Sequence, residues 1–278
     1  MTEPVEGLSI NLATVRKQWT FAEAVDGCVA QGITMVAPWR DQVEAQGLKS
    51  CVKIVADAGV RVTGLCRGGF FPHATAEGRA AAIEENKRAI DEAAALGAHC
   101  LVLVVGGLPE GSRDIVAARQ MVHDGIAAIL PHARAAGVPL AIEPLHPQYA
   151  ADRSCVNTLA QSNDMCDALG PGVGIAADVY HIWWDPDLEA QLLRAGDRLL
   201  AHHICDWLVP TTDPLNDRGM MGDGVVDLST IRRWFEAAGY DDFQEVEIFS
   251  ANNWWTKPPQ DVIATCIARY RAVCAARA

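Results

Sequence analysis

The chain has 278 residues, half of them hydrophobic and 21% charged, with a formal net charge of −12 at pH 7. That much apolar material can bury a sizeable core, which excludes a disordered chain, and so acidic a surface repels a phosphate backbone, which excludes general nucleic-acid binding. The opening MTEPVEGLSI has neither the basic nor the apolar region of a secretory signal, and no stretch of about 18 apolar residues free of charge and proline offers a membrane span.

Along the chain, short apolar runs alternate with longer amphipathic ones. Residues 8–12 predict a strand, and 19–31 a helix with Phe21, Ala24, Val25 and Cys28 on one face. A strand at 33–37 and a helix at 42–58, stopped by Gly59, follow. Next come strand 61–65 and the Ala-rich helix 79–96, with Gly97 as its C-terminal stop. Strand 100–105 precedes helix 112–136, which ends at Gly137. Strand 139–143 precedes helix 157–169, opened by Asn157-Thr158 and closed by Gly170-Pro171. The remaining pairs are 173–178 with 185–195, 199–205 with 228–238, and 245–249 with 258–276, the last helix carrying prolines in its first turn.

Most of the strands are apolar at successive positions, which signals burial on both faces and hence a parallel sheet covered by helices. Eight strand–helix units in 278 residues suit a (β/α)₈ barrel. A doubly wound nucleotide-binding sheet would show a glycine-rich turn after its first strand, where this chain has Asn11-Leu12-Ala13-Thr14-Val15. No linker or shift in composition divides residues 1–278, so one domain is expected. The nine cysteines are odd in number, widely spaced and without a CxxC pair, which predicts reduced, buried thiols in a cytoplasmic protein.

Catalytic groups in such a barrel sit at the C-terminal ends of the strands. Four consecutive strands end in Glu143, Asp178, His203 and Glu247. Three carboxylates inside apolar runs repel one another, and a divalent cation removes that cost. Their mixed oxygen and nitrogen set suits one Mn²⁺, Mg²⁺, Co²⁺ or Zn²⁺, with Mn²⁺ favoured. The adjacent His202 and His203 point to opposite faces of their strand; His203 shares a side with Ala201 and Cys205 and is the one expected to face the axis.

These ends lie within a series of short motifs: Ile142-Glu143, Cys155-Val156-Asn157-Thr158, Ala177-Asp178-Val179-Tyr180-His181, His203-Ile204-Cys205-Asp206, Asp217-Arg218, Gly222-Asp223-Gly224-Val225-Val226-Asp227-Leu228 and Glu245-Val246-Glu247-Ile248-Phe249. In their order and spacing the chain resembles the sugar phosphate isomerase/epimerase superfamily of xylose isomerase-like TIM barrels, with the inosose isomerase-type branch as the nearest match. The resemblance spans nearly the whole chain and is densest over 142–249. It implies the same metal ligands, Glu143, Asp178, His203 and Glu247. It also implies that Glu143 and Glu247 flank a bound ketose, one removing a proton next to the carbonyl and the other returning it, while the metal stabilises the enediolate. His181 and Arg218 would each hold a substrate oxygen.

Other residues near the mouth carry weaker signals. His146, in Glu-Pro-Leu-His-Pro, is either a substrate or proton-shuttle residue or a solvated loop histidine, and Asp206 either supports the site or caps a loop. Trp183, Trp184, Trp207, Trp254 and Trp255 follow strand ends; Trp183 and Trp207 are candidates for a wall against a sugar ring, with packing or a subunit contact as the plainer role. Tagatose/psicose 3-epimerase-like relatives carry a glutamate six residues after the first ligand and an arginine six after the histidine, where this chain has Tyr149 and Val209. No extra histidines suggest the trinuclear site of endonuclease IV-like relatives. Beyond Arg113, Arg153 and Arg218 no cationic cluster stands out, which favours a non-phosphorylated substrate.

The expected protein is thus a cytoplasmic, divalent-metal-dependent isomerase or epimerase of a keto-sugar or keto-cyclitol, with no nucleic-acid or membrane partner and a homo-oligomer as one option. A lyase working through the same enolate, dehydrating an inosose or eliminating from a 3-keto-glycoside, uses the same ligands. A non-catalytic sugar-binding barrel is the alternative outside enzymology.

Overall fold

The computed structural model describes residues 3–274. Strand β1 (Leu8–Asn11) turns into helix α1 (Phe21–Ala30), whose start is held by a reciprocal cap between Thr20 and Glu23. After β2 (Met35–Ala37) the helix expected at 42–58 is two, α2 (Arg40–Gln46) and α3 (Leu48–Ala58), divided at Gly47, whose φ of 83° a helix cannot hold. Strands β3 (Arg61–Val62) and β4 (Leu65–Gly69) precede α4 (Ala76–Leu96), β5 (Leu101–Val104) and α5 (Ile115–Ala136). Next come β6 (Leu140–Ile142), α6 (Leu159–Leu169), β7 (Val173–Asp178), α7 (Val179–Ile182), α8 (Leu188–Ala195) and β8 (Leu199–Ile204). The remaining elements are β9 (Asp206–Trp207), β10 (Arg218–Gly219), α9 (Leu228–Ala237), β11 (Gln244–Val246) and α10 (Pro259–Arg269). The chain then makes a π turn over Tyr270–Cys274; the end of the expected span 258–276 lies outside the described residues.

Nine parallel strands form a barrel in the order β3-β2-β1-β11-β8-β7-β6-β5-β4, with β9 and β10 as a separate antiparallel ribbon. The third stave is the irregular one. The single strand expected at 61–65 is split: β3 pairs with β2, β4 pairs with β5, and a register shift falls between Cys66 and Gly68. Backbone bonds from Thr63 N to Val36 O and from Cys66 N to Pro38 O, each 3.0 Å, close the ring across this break. Gly69 makes the close approach possible. Its φ is 112°, and a Cβ there would stand 1.9 Å from the Val104 carbonyl oxygen.

Alternation along the staves decides what faces the axis. Ala141, Ala176, Ala201, Val102, Cys66 and Phe243 pack together inside the barrel, while a second and larger core joins the outer strand faces to the helices. Two residues beyond Ala141, Ala176 and Ala201, on the same inward rows, come Glu143, Asp178 and His203. All nine cysteines are unpaired and buried, and no helix among the described residues is long and apolar enough to cross a membrane.

His202 points outward, as its neighbour's inward orientation requires. Its ring stacks on Phe235 at 3.7 Å between centroids, and its Nε2 has no hydrogen-bond partner. Burial, with His203 and Arg232 adding to it, lowers its pKa from 6.5 to about 3. The folded protein therefore keeps this ring neutral while the unfolded chain protonates it below 6.5. Its contribution to stability is present above pH 6.5 and is lost as the pH falls toward 3, at up to roughly 1.4 kcal/mol per pH unit. Replacing His202 by Phe is expected to flatten the decline in urea-unfolding free energy between pH 6.5 and pH 4; an unchanged slope would assign the acid sensitivity to other groups.

Candidate metal centre

Glu143 follows β6, Asp178 ends β7, His203 lies in β8 and Glu247 follows β11. One ligand atom from each lies within 4.8 Å of all the others, and all four residues are buried. The barrel thus brings together residues spread over more than a hundred positions of chain, on one closed rim.

The electrostatics follow from burial. Burial alone would raise Asp178, but Arg218, His181 and His203 together draw its carboxyl down to about 2. At Glu247 burial prevails: with Glu143 and Asp178 adding repulsion, it is pushed up to about 8 against the pull of Arg218 and His203. Arg218 supplies the one guanidinium in the cluster. Its Nη1 donates to Asp178 Oδ2 at 2.7 Å and to Glu247 Oε2 at 3.0 Å, and its Nη2 lies 3.3 Å from His181 Nε2. The group rests over the Tyr180 ring at 4.5 Å and reaches the centre from β10. His181 is buried, and burial lowers its pKa to about 3, so it meets Arg218 as a neutral ring.

A divalent cation fits these residues. Neither ring nitrogen of the buried His203 has a hydrogen bond, a costly state for a polar ring unless another partner completes it. Its Nδ1 faces Glu143 Oε1 at 3.3 Å and Glu247 Oε2 at 3.9 Å, within the oxygen cluster. Its Nε2 faces Glu245 Oε1 at 3.4 Å. One nitrogen toward the donor set and the other toward a carboxylate is how a metal-bound histidine is held in one tautomer.

Glu245 is the residue that the reading of strand ends passed over. It is 1% exposed, inside the barrel, two positions before Glu247 and therefore on the same inward row. Asn11 Nδ2 donates to it at 2.8 Å and Thr63 Oγ1 at 2.7 Å, and Ser9 meets Thr63 at 2.7 Å. Asn11 also reaches Glu247 Oε1 at 3.1 Å and accepts from Trp39 Nε1 at 2.8 Å. Its only signal in the sequence is the Glu245-Val246-Glu247 alternation.

Above the centre opens a cavity of about 330 Å³, walled in part by Trp39, Tyr149, His181, Arg218, Phe249 and Trp255. His146, Trp183 and Trp207 stand beside it in an aromatic cluster. His146 stacks on Trp207 at 5.0 Å, Trp183 lies 5.8 Å from Trp207, and Tyr180 packs at 4.7 Å from the same ring. Asp206 accepts from the backbone of Trp207, Gly222 and Val226, which ties the following loop. The 208–217 loop is fixed from below, because the hydroxyls of Tyr149 and Tyr180 both donate to the Pro214 carbonyl, at 2.7 and 2.8 Å. Purified protein is expected to bind about one divalent ion per chain. Glu245→Gln, with all four ligands intact, should weaken that ion's affinity about 10- to 100-fold in a competition titration against a chelator; an unchanged affinity would make Glu245 irrelevant to His203.

A family model described as the xylose isomerase-like TIM barrel matches residues 25–272. Among solved structures, protein SMc04130 from Sinorhizobium meliloti 1021 is 68% identical, with a TM-score of 0.96 over 97% of this chain and 98% of that one. The IolI protein, solved with a bound zinc atom, is 21% identical with a TM-score of 0.83 over 96% and 97%. The 3-keto-D-glucoside 4-epimerase YcjR from E. coli is 19% identical with a TM-score of 0.76 over 96% and 100%. The likeness to these last two is one of fold. No curated protein matches the chain. From the barrel, the four buried side chains converging at its rim and a model match over most of its length, the chain belongs to the xylose isomerase-like TIM-barrel family.

Proposed function

We propose that the protein is a divalent-metal-dependent isomerase or epimerase that moves a proton on a keto-sugar or keto-cyclitol. The observation that carries this reading is the convergence of Glu143, Asp178, His203 and Glu247 at the cavity, with two glutamates from staves β6 and β11 facing the same space. The epimerase activity of structural neighbours such as YcjR and D-psicose 3-epimerase, and the zinc of the IolI protein, point the same way.

Glu143, Asp178, His203 and Glu247 would hold the ion, which when bound supplies a Lewis acid for the substrate's carbonyl oxygen. Proton movement belongs to the two glutamates. One carboxylate takes the proton from the carbon next to the carbonyl, and the other delivers a proton to the neighbouring carbon or to the opposite face. Arg218 and His181, side by side at the cavity wall, each present a polar group to a substrate oxygen. Arg218 also offsets the charge of Asp178 and Glu247 when the nearby carbonyl becomes an oxyanion. Trp39, Phe249 and Trp255 form an aromatic part of the wall around that exchange. His146, Trp183 and Trp207 are assigned to the outer part of the substrate path, where a ring substituent would meet their faces.

In D₂O, myo-inosose or a 3-keto-glucoside turned over by the ion-loaded protein is expected to gain deuterium at the carbon next to the carbonyl. Glu143→Gln and Glu247→Gln should each lower kcat by about 10² or more. Product formed without solvent label, together with full activity in both variants, would overturn the two-glutamate reading.

A further inference from the structure

The cavity wall is unusual for so acidic a chain. It carries Arg16, Lys17, Arg67, Arg153 and Arg218, against two carboxylates, Glu143 and Glu247, which belong to the centre itself. Arg16 is paired with Asp41, and Arg218 with Asp178 and Glu247. The other three cations have no such partner. Among the described residues, the side chains of Lys17, Arg67 and Arg153 make no ion pair and no hydrogen bond. Each is held by a ring instead: Arg67 by Phe70 at 4.2 Å and Trp39 at 5.9 Å, Arg153 by Tyr149 at 5.8 Å, Lys17 by Trp255 at 5.7 Å.

Elsewhere the chain pairs its arginines readily. Arg40 binds Glu85 and Glu92, Arg61 binds Asp242, and Arg194 and Arg198 share Asp167. With 35 acidic residues available, leaving two partly buried guanidiniums without an acceptor is a cost that solvated surface arginines do not carry. Burial disfavours the charge on Arg67 and Arg153 adds to that, against a pull from Cys66, Glu143 and Asp41, and both guanidiniums line the same cavity. Stacking on an aromatic face leaves the donor edge of a guanidinium free, and that edge matches the paired oxygens of a carboxylate or phosphate. Arg67 becomes visible here only because the third stave is split and β4 runs on to the rim. Arg113, one of the cations that the sequence suggests, is exposed and outside this wall.

We propose that Arg67 and Arg153, with Lys17 at the rim, receive an anionic group on the substrate, a carboxylate or a phosphate, so that the sugar worked on is a charged one. The inference rests on the reading above, in which the carbonyl end lies at the metal centre. A carboxylate is compatible with the expectation of a non-phosphorylated substrate, and a phosphate would reverse it.

The test is calorimetric titration of the ion-loaded protein with D-fructose, D-fructose 6-phosphate and a ketohexuronate, which separates phosphate from carboxylate. At least one anionic sugar is expected to bind about 10-fold or more tightly than fructose, with a preference that shrinks as salt is raised. Arg67→Met and Arg153→Met should each bring the ratio of anionic to neutral affinity toward one. Lys17→Glu, at an exposed position where folding is not at stake, should reduce the ratio as well. Equal affinities for all three sugars in the unmodified protein, or a preference that survives both arginine changes, would overturn the subsite. Binding is read without turnover, so the two readings fail separately. Anion preference without deuterium exchange keeps the subsite and removes the isomerase, whereas exchange on fructose without anion preference does the reverse.

Discussion

Three carboxylates and an imidazole buried at one rim cannot stand together unless positive charge is brought to them, and much of the molecule answers that requirement. The inward rows end in small alanines below Glu143, Asp178 and His203, which leaves the space in which these side chains converge. Arg218 is delivered to the same point by the β9–β10 ribbon and binds two of the carboxylates. Glu245 faces the back of His203 and is itself held by Asn11 from the adjoining strand β1 and by Thr63 from the third stave. The rim is therefore a balance of opposed charges, in which Arg218 tempers Asp178 and Glu247.

How much of this was readable from the chain depends on locality. The eight strand–helix repeats were legible, and so was the convergence of Glu143, Asp178, His203 and Glu247, because alternation fixes parity within each stave: 141 with 143, 176 with 178, 201 with 203. The third stave was not. Gly64, Gly68 and Gly69 break its apolar run, and only the tertiary pairing of its halves with β2 and β5 shows that Arg67 belongs to a strand at the mouth. Glu245 was hidden for a different reason. It looks like another charged strand residue until Thr63 and Asn11, distant in sequence, are found bonded to it. The tryptophans divided in the same way: Trp39 and Trp255 reach the cavity, while Trp183 and Trp207 pack against one another.

The charge of the chain as a whole is a poor guide to its site. A net charge of −12 describes a solvated exterior, which discourages polyanions at long range. At the cavity mouth the local sign is reversed by Arg16, Lys17, Arg67 and Arg153. A small anion screened by salt over roughly 8–10 Å would respond to that local field and not to the average one.

The paired tyrosine hydroxyls on the Pro214 carbonyl carry a further consequence. Lifting that loop breaks two hydrogen bonds, each worth about 1 kcal/mol, so the raised arrangement is a few per cent of the population at most. The loop is then a fixed sill on one side of the vestibule, and a visiting molecule passes over it without lifting it. Entry and exit on that side are filtered by the size and sign of the visitor.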